Sequence, residues 1–170
     1  YEGFIDLGVI DESGVQVSYV GPYKLRGKNY LQQTWFHEVV VRGSYVSDVF
    51  LGYRKFPHVA IAIQRMREDG SFWILRATLD TKRFEELIKS VHLDPNSDEF
   101  LINRSGTLQT PSKYYGNVLG YCPLVIPLTT PGPRIVKVKG PYNDNEELVV
   151  AHARVKHADY LLVVLRPASV

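Results

Sequence analysis

An aromatic segment with polar tips, Tyr30-Leu31-Gln32-Gln33-Thr34-Trp35-Phe36, holds the densest chemistry in the chain. The Trp35 indole N–H, the Tyr30 hydroxyl and the Gln33 amide can bond a small polar ligand while the ring faces exclude water. The same residues also suit a structural role, with Trp35 and Phe36 on the core face of a helix and Gln33 in solvent. Strand alternation over Phe72–Leu79 puts Phe72, Ile74, Arg76 and Thr78 on one face. An arginine among apolar neighbours on such a face needs an anion. That anion is either a ligand carboxylate or a protein carboxylate, with Asp48 and Glu38 the protein candidates. In the extended run from Tyr45, Tyr45 and Ser47 share one face and Asp48 takes the other, so the three meet at one ligand only where the strand bulges. The run Tyr53-Arg54-Lys55-Phe56-Pro57-His58 enters a further strand; Pro57 keeps the entry extended and aims His58 at a sheet face. His58 there is either a ligand contact or a partial-core residue.

Other chemistries are excluded. His37, His92, His152 and His157 have no metal-ligand spacing with one another or with carboxylates, and the single Cys122 rules out a disulfide framework and a cysteine-based zinc site. No metal and no cofactor are expected. A small α+β enzyme is the competing reading, but the chain has no nucleophile elbow, no phosphate-cradling glycine loop and no recognisable pair of catalytic carboxylates. The net charge is +2 with no basic block, which argues against nucleic acid as a partner. No stretch of about 18 apolar residues marks a membrane span.

These residues must be positioned by strands. Val9-Ile10-Asp11-Glu12-Ser13-Gly14 returns later in the chain as Leu101-Ile102-Asn103-Arg104-Ser105-Gly106. Each copy leads an apolar run into a polar turn that ends in glycine, so one small sheet is expected twice. The first module reads as strands Phe4–Ile10 and Val15–Val20, then a helix over roughly Tyr30–Val41 capped by Asn29. Extended runs at Tyr45–Leu51, Val59–Met66 and Phe72–Leu79 follow, the last two joined by an Asp69-Gly70 hairpin. Asp80 then caps a helix with apolar positions Phe84, Leu87, Ile88 and Val91, and Asp94-Pro95-Asn96-Ser97 breaks it. The second module has strands Glu99–Asn103 and Thr107–Thr110, an irregular stretch Pro111–Pro133, then strands Ile135–Lys139, Leu148–Val155 and Tyr160–Arg166. The prediction is an α+β chain of two tandem modules, residues 1–93 and 94–170, each a roughly five-stranded antiparallel sheet with flanking helices.

Taken in order, the Asp11–Gly14 turn, the Tyr30…Trp35-Phe36 segment, Gly43-Ser44-Tyr45-Val46-Ser47-Asp48-Val49-Phe50, the Asp69-Gly70 hairpin, Ala77-Thr78-Leu79-Asp80, the Asn103–Gly106 turn and the closing Ala151…Tyr160-Leu161-Leu162-Val163-Val164 resemble the double Cache sensor domains. These are PAS-like extracytoplasmic regions of bacterial and archaeal membrane receptors. The resemblance spans essentially the whole chain. It implies a small-molecule ligand, a polar or anionic metabolite, in the membrane-distal module (1–93), and a membrane-proximal module (94–170) that relays. It also implies a membrane-anchored parent chain, most often a two-component sensor histidine kinase and otherwise a chemoreceptor or a cyclic-dinucleotide enzyme. Family members begin with a long stalk helix and can dimerise through such helices; this chain begins with a strand, which fits an excised sensor without them.

Carried over residue by residue, the resemblance places Tyr30, Gln33, Trp35, Tyr45, Ser47, Asp48, Tyr53, His58, Arg76 and Thr78 at the ligand. Amino-acid-binding relatives have an arginine where this chain has Gln33 and an aspartate where it has Thr78. The arginine fork takes the α-carboxylate and the aspartate the α-ammonium. With both replaced, a neutral or singly charged metabolite is expected rather than an α-amino acid.

Overall fold

The computed structural model describes residues 3–90, 94–126 and 132–168. The chain divides into two compact units, Tyr1–Thr81 and Lys82–Val170. In the first, strands β1 (Phe4–Asp11), β2 (Gln16–Val20), β3 (Ser44–Val46), β4 (His58–Met66) and β5 (Phe72–Asp80) form an antiparallel sheet in the order β2-β1-β5-β4-β3. Helix α1 (Thr34–Arg42) packs on β3 and β4. Its buried Trp35, Phe36 and Val39 join Ile10, Tyr30, Ala60, Ala62 and Ile74 in one core.

The second unit has strands β6 (Asp98–Asn103), β7 (Arg134–Gly140), β8 (Asn143–Arg154) and β9 (Tyr160–Pro167) in the order β6-β9-β8-β7. This repeats the first order with the second strand missing, so the sheet has four strands where five were expected. Thr107–Thr110 makes only bridges, Leu108 to Ile102 and Thr107 to Tyr121. The reason is local. The Leu101 amide donates to the Thr110 hydroxyl at 2.9 Å, and Pro111 follows with no N–H to continue a ladder. The described part of Pro111–Pro133 forms turns that bury Cys122, Leu124 and Ile126 against Phe100, Val150 and Val163; residues 127–131 lie outside the described residues.

The repeated turn has one mechanism in both units. Asp11 Oδ1 accepts the Ser13 N–H, the Ser13 hydroxyl and the Val15 N–H at 3.1, 2.6 and 3.0 Å. Asn103 Oδ1 accepts the same three groups from Ser105 and Thr107 at 3.1, 2.8 and 2.9 Å. Gly14 and Gly106 follow with φ of +81° and +80°, which side-chain-bearing residues adopt at a cost.

Three expected boundaries move. The helix expected from Tyr30 starts at Thr34, because Asn29 Oδ1 takes the Leu31 N–H in a turn instead of capping a helix. The run expected as a strand to Leu51 ends at Val46. The first unit closes at Thr81 rather than residue 93. Helix α2 (Thr81–Ser90) shows why: its Phe84 ring meets Tyr160 edge-on at 6.2 Å, within the second unit. Val91 and His92 lie outside the described residues.

Phe100 is fully buried in the second core, with the Tyr115 ring edge-on at 5.9 Å. Phe100→Ala is expected to lower stability by about 3–5 kcal/mol, read as a lower urea midpoint.

Candidate functional site

The inner face of the first sheet is polar at one end, and this is where the unusual chemistry lies. Pairing aligns Asp6 with Thr78 and Ala60, and Gly8 with Arg76, Ala62 and Tyr45. Asp6, Gln16, Arg76 and Thr78 are all at most 3% exposed, while Leu7, Ile63 and Leu75 on the opposite face are about 40% exposed. The hydrophobic pattern of β1 therefore points the wrong way: its apolar Leu7 faces out and its Asp6 faces in.

Asp6 is the centre of the cluster. Arg54 grips it side-on with one edge of its guanidinium, Nε donating to Oδ2 at 2.8 Å and Nη2 to Oδ1 and Oδ2 at 2.7 and 2.6 Å. Arg76 Nη2 reaches Oδ1 at 3.4 Å, and the Tyr19 hydroxyl donates to Oδ2 at 3.3 Å. One buried carboxylate thus serves two buried guanidiniums. Burial lowers the Arg76 pKa and the neighbouring Arg54 charge pushes it the same way, against the raising effect of Tyr30 and Asp6.

Arg54 arrives from a short loop that is closed on itself. Phe50 and His58 exchange backbone N–H···O bonds at 3.0 Å each, and the 3₁₀ turn Gly52–Arg54 lies between them. Gly52 has φ +51°, and an added Cβ would meet the Phe50 ring at 2.8 Å, so glycine is required there. His58 closes the loop. Its Nδ1 donates to the Phe56 carbonyl at 2.8 Å, which leaves Nε2 as the acceptor facing Arg54 Nη1 at 3.4 Å. Burial first, then the two guanidiniums, push the imidazole pKa down from 6.5 to about 4, against the raising effect of Phe56 and Asp6. His58 is neutral near pH 7.

The aromatic segment is tied over this face. Tyr30 N–H donates to the Gly14 carbonyl at 2.7 Å, and Gln16 N–H to that of Lys28 at 2.9 Å. The Arg76 guanidinium lies 4.7 Å from the Tyr30 ring centroid and 5.7 Å from that of Trp35. Beside Trp35, between the start of α1 and the end of β3, is a cavity of about 240 Å³ walled by Gln33, Thr34, Trp35, Tyr45, Ser47, Asp48 and Phe50.

Five of the ten residues singled out from sequence therefore wall one cavity: Gln33, Trp35, Tyr45, Ser47 and Asp48. Alternation was expected to keep Asp48 off the face of Tyr45 and Ser47. It does not, because the pairing with β4 slips by one residue after Val46: Ser47 N–H still bonds Ala60 O at 2.9 Å, but Phe50 pairs with His58, a bulge that brings Asp48 to the same cavity wall. Tyr30, His58, Arg76 and Thr78 are buried in and over the sheet behind that cavity. Tyr53 is 45% exposed and braces Tyr30 from outside, its hydroxyl donating to Asn29 O at 2.8 Å. Arg76 pairs with Asp6, not with Asp48 or Glu38; Glu38 instead meets Arg42 at 2.7 Å.

Sequence reasoning missed Asp6, Arg54 and Gln16. Asp6 and Gly8 alternate with Leu7 and Val9, and the apolar set was the natural choice for the core. The available signal was Arg76: one inward arginine on a central strand requires an inward carboxylate on a neighbouring one.

The first sheet has the strand order of a PAS-like unit and the second has the same order less one strand, and solved structures match nearly the whole chain. The extracellular domain of a histidine kinase, rpHK1S-Z16, matches with a TM-score of 0.77 at 14% identity, over 99% of this chain and 72% of that one. The ligand-binding domain of the Pseudomonas aeruginosa PAO1 amino-acid chemoreceptor PctC, in complex with GABA, matches with 0.66 at 14% identity, over 96% and 74%. The ligand-binding domain of Mlp24 with asparagine matches with 0.66 at 15% identity, over 98% and 69%. The fold is the tandem, PAS-like Cache fold of extracellular sensor domains. No protein-family model and no curated protein matches the sequence.

Removing the shared carboxylate leaves two buried positive charges uncompensated. Asp6→Ala is expected to cost about 3–5 kcal/mol, measured by chemical denaturation. The His58 imidazole resists protonation in the folded chain. Between pH 6.5 and about 4 the unfolded chain binds the extra proton, so stability falls as the pH falls through that window. Against His58→Asn, the wild-type chain should lose up to about 3 kcal/mol more between pH 7 and pH 4. Parallel pH–stability curves would contradict this.

Proposed function

We propose that the chain is the sensing region of a membrane receptor, displayed outside the cytoplasm, and that its first unit holds a small polar or anionic metabolite. The supporting observation is the cavity beside Trp35, whose wall combines an indole, two further rings and the polar groups of Gln33, Thr34, Ser47 and Asp48. Aromatic walls with a few converging polar groups are the usual composition of a small-molecule site. The structures that share the fold include extracellular domains of histidine kinases and ligand-binding domains of chemoreceptors with small molecules bound.

In this reading the chain performs no catalysis. Ligand favours one shape of the first unit, and a coupling of about 1–3 kcal/mol reaches an output domain through the second. The output is a two-component histidine kinase, with a chemoreceptor as the alternative that the bound neighbours favour. Among the described residues no helix is long and apolar enough to cross a membrane, and no cluster of side chains suits a metal ion.

A metabolite library screened by thermal shift tests the proposal. A ligand at about 100 times its Kd should stabilise the chain by about 2.7 kcal/mol. Trp35→Ala should abolish that response while the chain stays folded. An undiminished response in Trp35→Ala moves the site elsewhere.

A further inference from the structure

Buried polar atoms in folded proteins are almost always partnered. Among the described residues, those without a partner are both amide atoms of Gln16, Tyr30 Oη, Trp35 Nε1, Arg76 Nε, Thr78 Oγ1 and, in the second unit, His152 Nε2. All but the last belong to the polar end of the first sheet or to the rings over it. The Gln16 side chain lies across Gly8, where an added Cβ would fall 2.5 Å from its Oε1. Gly8 pairs directly with Arg76, and Thr78 is the next residue on that face. Arg76 in turn lies under the Tyr30 and Trp35 rings. The unpartnered atoms are thus neighbours, and Trp35 is shared with the wall of the cavity.

The charges are unequal. Arg54 and Arg76 are both buried, His58 is neutral, and Asp6 is the one carboxylate paired with either of them among the described residues. Both Asp6 oxygens are already taken by Arg54, and among the described residues the only ion pair of Arg76 is the 3.4 Å contact. Asp80 stands opposite His58 at the end of the sheet, and Asp48 belongs to the outer cavity wall. The inner end therefore carries one surplus positive charge, three unpartnered nitrogens that can only donate (Arg76 Nε, Trp35 Nε1 and Gln16 Nε2), and one amide oxygen that can only accept (Gln16 Oε1).

Building on the ligand-binding reading, the geometry points to a small monoanionic 2-hydroxy acid as the ligand class. Its carboxylate takes the N–H groups of Arg76 and Trp35, and its hydroxyl donates to Gln16. The rest of the molecule extends into the cavity beside Trp35. One negative charge neutralises the surplus. A zwitterionic amino acid of the same shape places an ammonium beside two guanidiniums whose shared carboxylate is already engaged, so the chain discriminates hydroxyl from ammonium at the carbon next to the carboxylate.

L-Lactate and L-alanine are near-isosteric probes of that distinction. Titration calorimetry of the chain at constant ionic strength should show L-lactate binding at least about tenfold more tightly than L-alanine. Arg76→Gln removes the charge, and Trp35→Phe removes the indole N–H but keeps a ring; each should weaken L-lactate at least about tenfold. Circular dichroism checks that each variant is folded, and Trp35→Phe keeps the test decisive if Arg76→Gln is not. L-Alanine binding as tightly as L-lactate, or L-lactate affinity unchanged in a folded variant, overturns the hydroxy-acid assignment and leaves the sensor reading intact. If L-lactate, L-alanine, neutral sugars and polyamines all fail to bind, the sensor reading fails with it.

Discussion

The first unit is organised around a carboxylate with too many partners. Asp6 sits almost fully buried on a central strand, gripped bidentately by Arg54 and approached by Arg76. Bringing three charges out of water costs several kcal/mol each, and only close, well-directed hydrogen bonds offset that cost. Replacing all of them with aliphatic residues would make the simpler core. The rest of the unit is arranged so that the polar version holds. Gly52 bends the loop that delivers Arg54, His58 closes that loop and stays uncharged, and Gly8 leaves room for Gln16.

The second unit provides the contrast. It repeats the strand order and the Asx turn, with Asn103 doing what Asp11 does. Its inner face, however, is filled by Phe100, Ile102, Leu108, Val150, Val163 and Leu165. Its buried Asp98 is satisfied locally, accepting from the Ser112 hydroxyl and from the Lys113 and Tyr114 amides at 2.6, 3.0 and 3.2 Å. Two copies of one architecture thus differ in what fills them, aliphatic and aromatic side chains in one and a charged, incompletely partnered cluster in the other. That difference supports assigning ligand to the first unit and relay to the second.

Much of this was legible in the sequence. The duplicated turn disclosed two sheets, because an Asp or Asn side chain and a left-handed glycine act locally and leave a local signature. Alternation on β5 placed Arg76 and Thr78 inward together. What failed was non-local. The helix at Tyr30 was expected from Asn29 as its cap, yet the start of the segment is held in a turn of its own by bonds to Gly14 and Ser13, distant in sequence. The fifth strand of the second sheet was lost to a threonine hydroxyl that takes a ladder hydrogen bond. Asp6 was hidden because hydrophobic patterning assumes an apolar interior, and a sheet that buries a charged cluster inverts that pattern.

The central claim is that the polar end of the first sheet is a place for a ligand and not merely an expensive core. A high-resolution crystal structure of the chain grown in L-lactate addresses it most directly. The account predicts a bound carboxylate within hydrogen-bond distance of Arg76 Nε and Trp35 Nε1, with Asp6 still held by Arg54. An unoccupied face in which Arg76 and Trp35 have turned to protein partners of their own would contradict it.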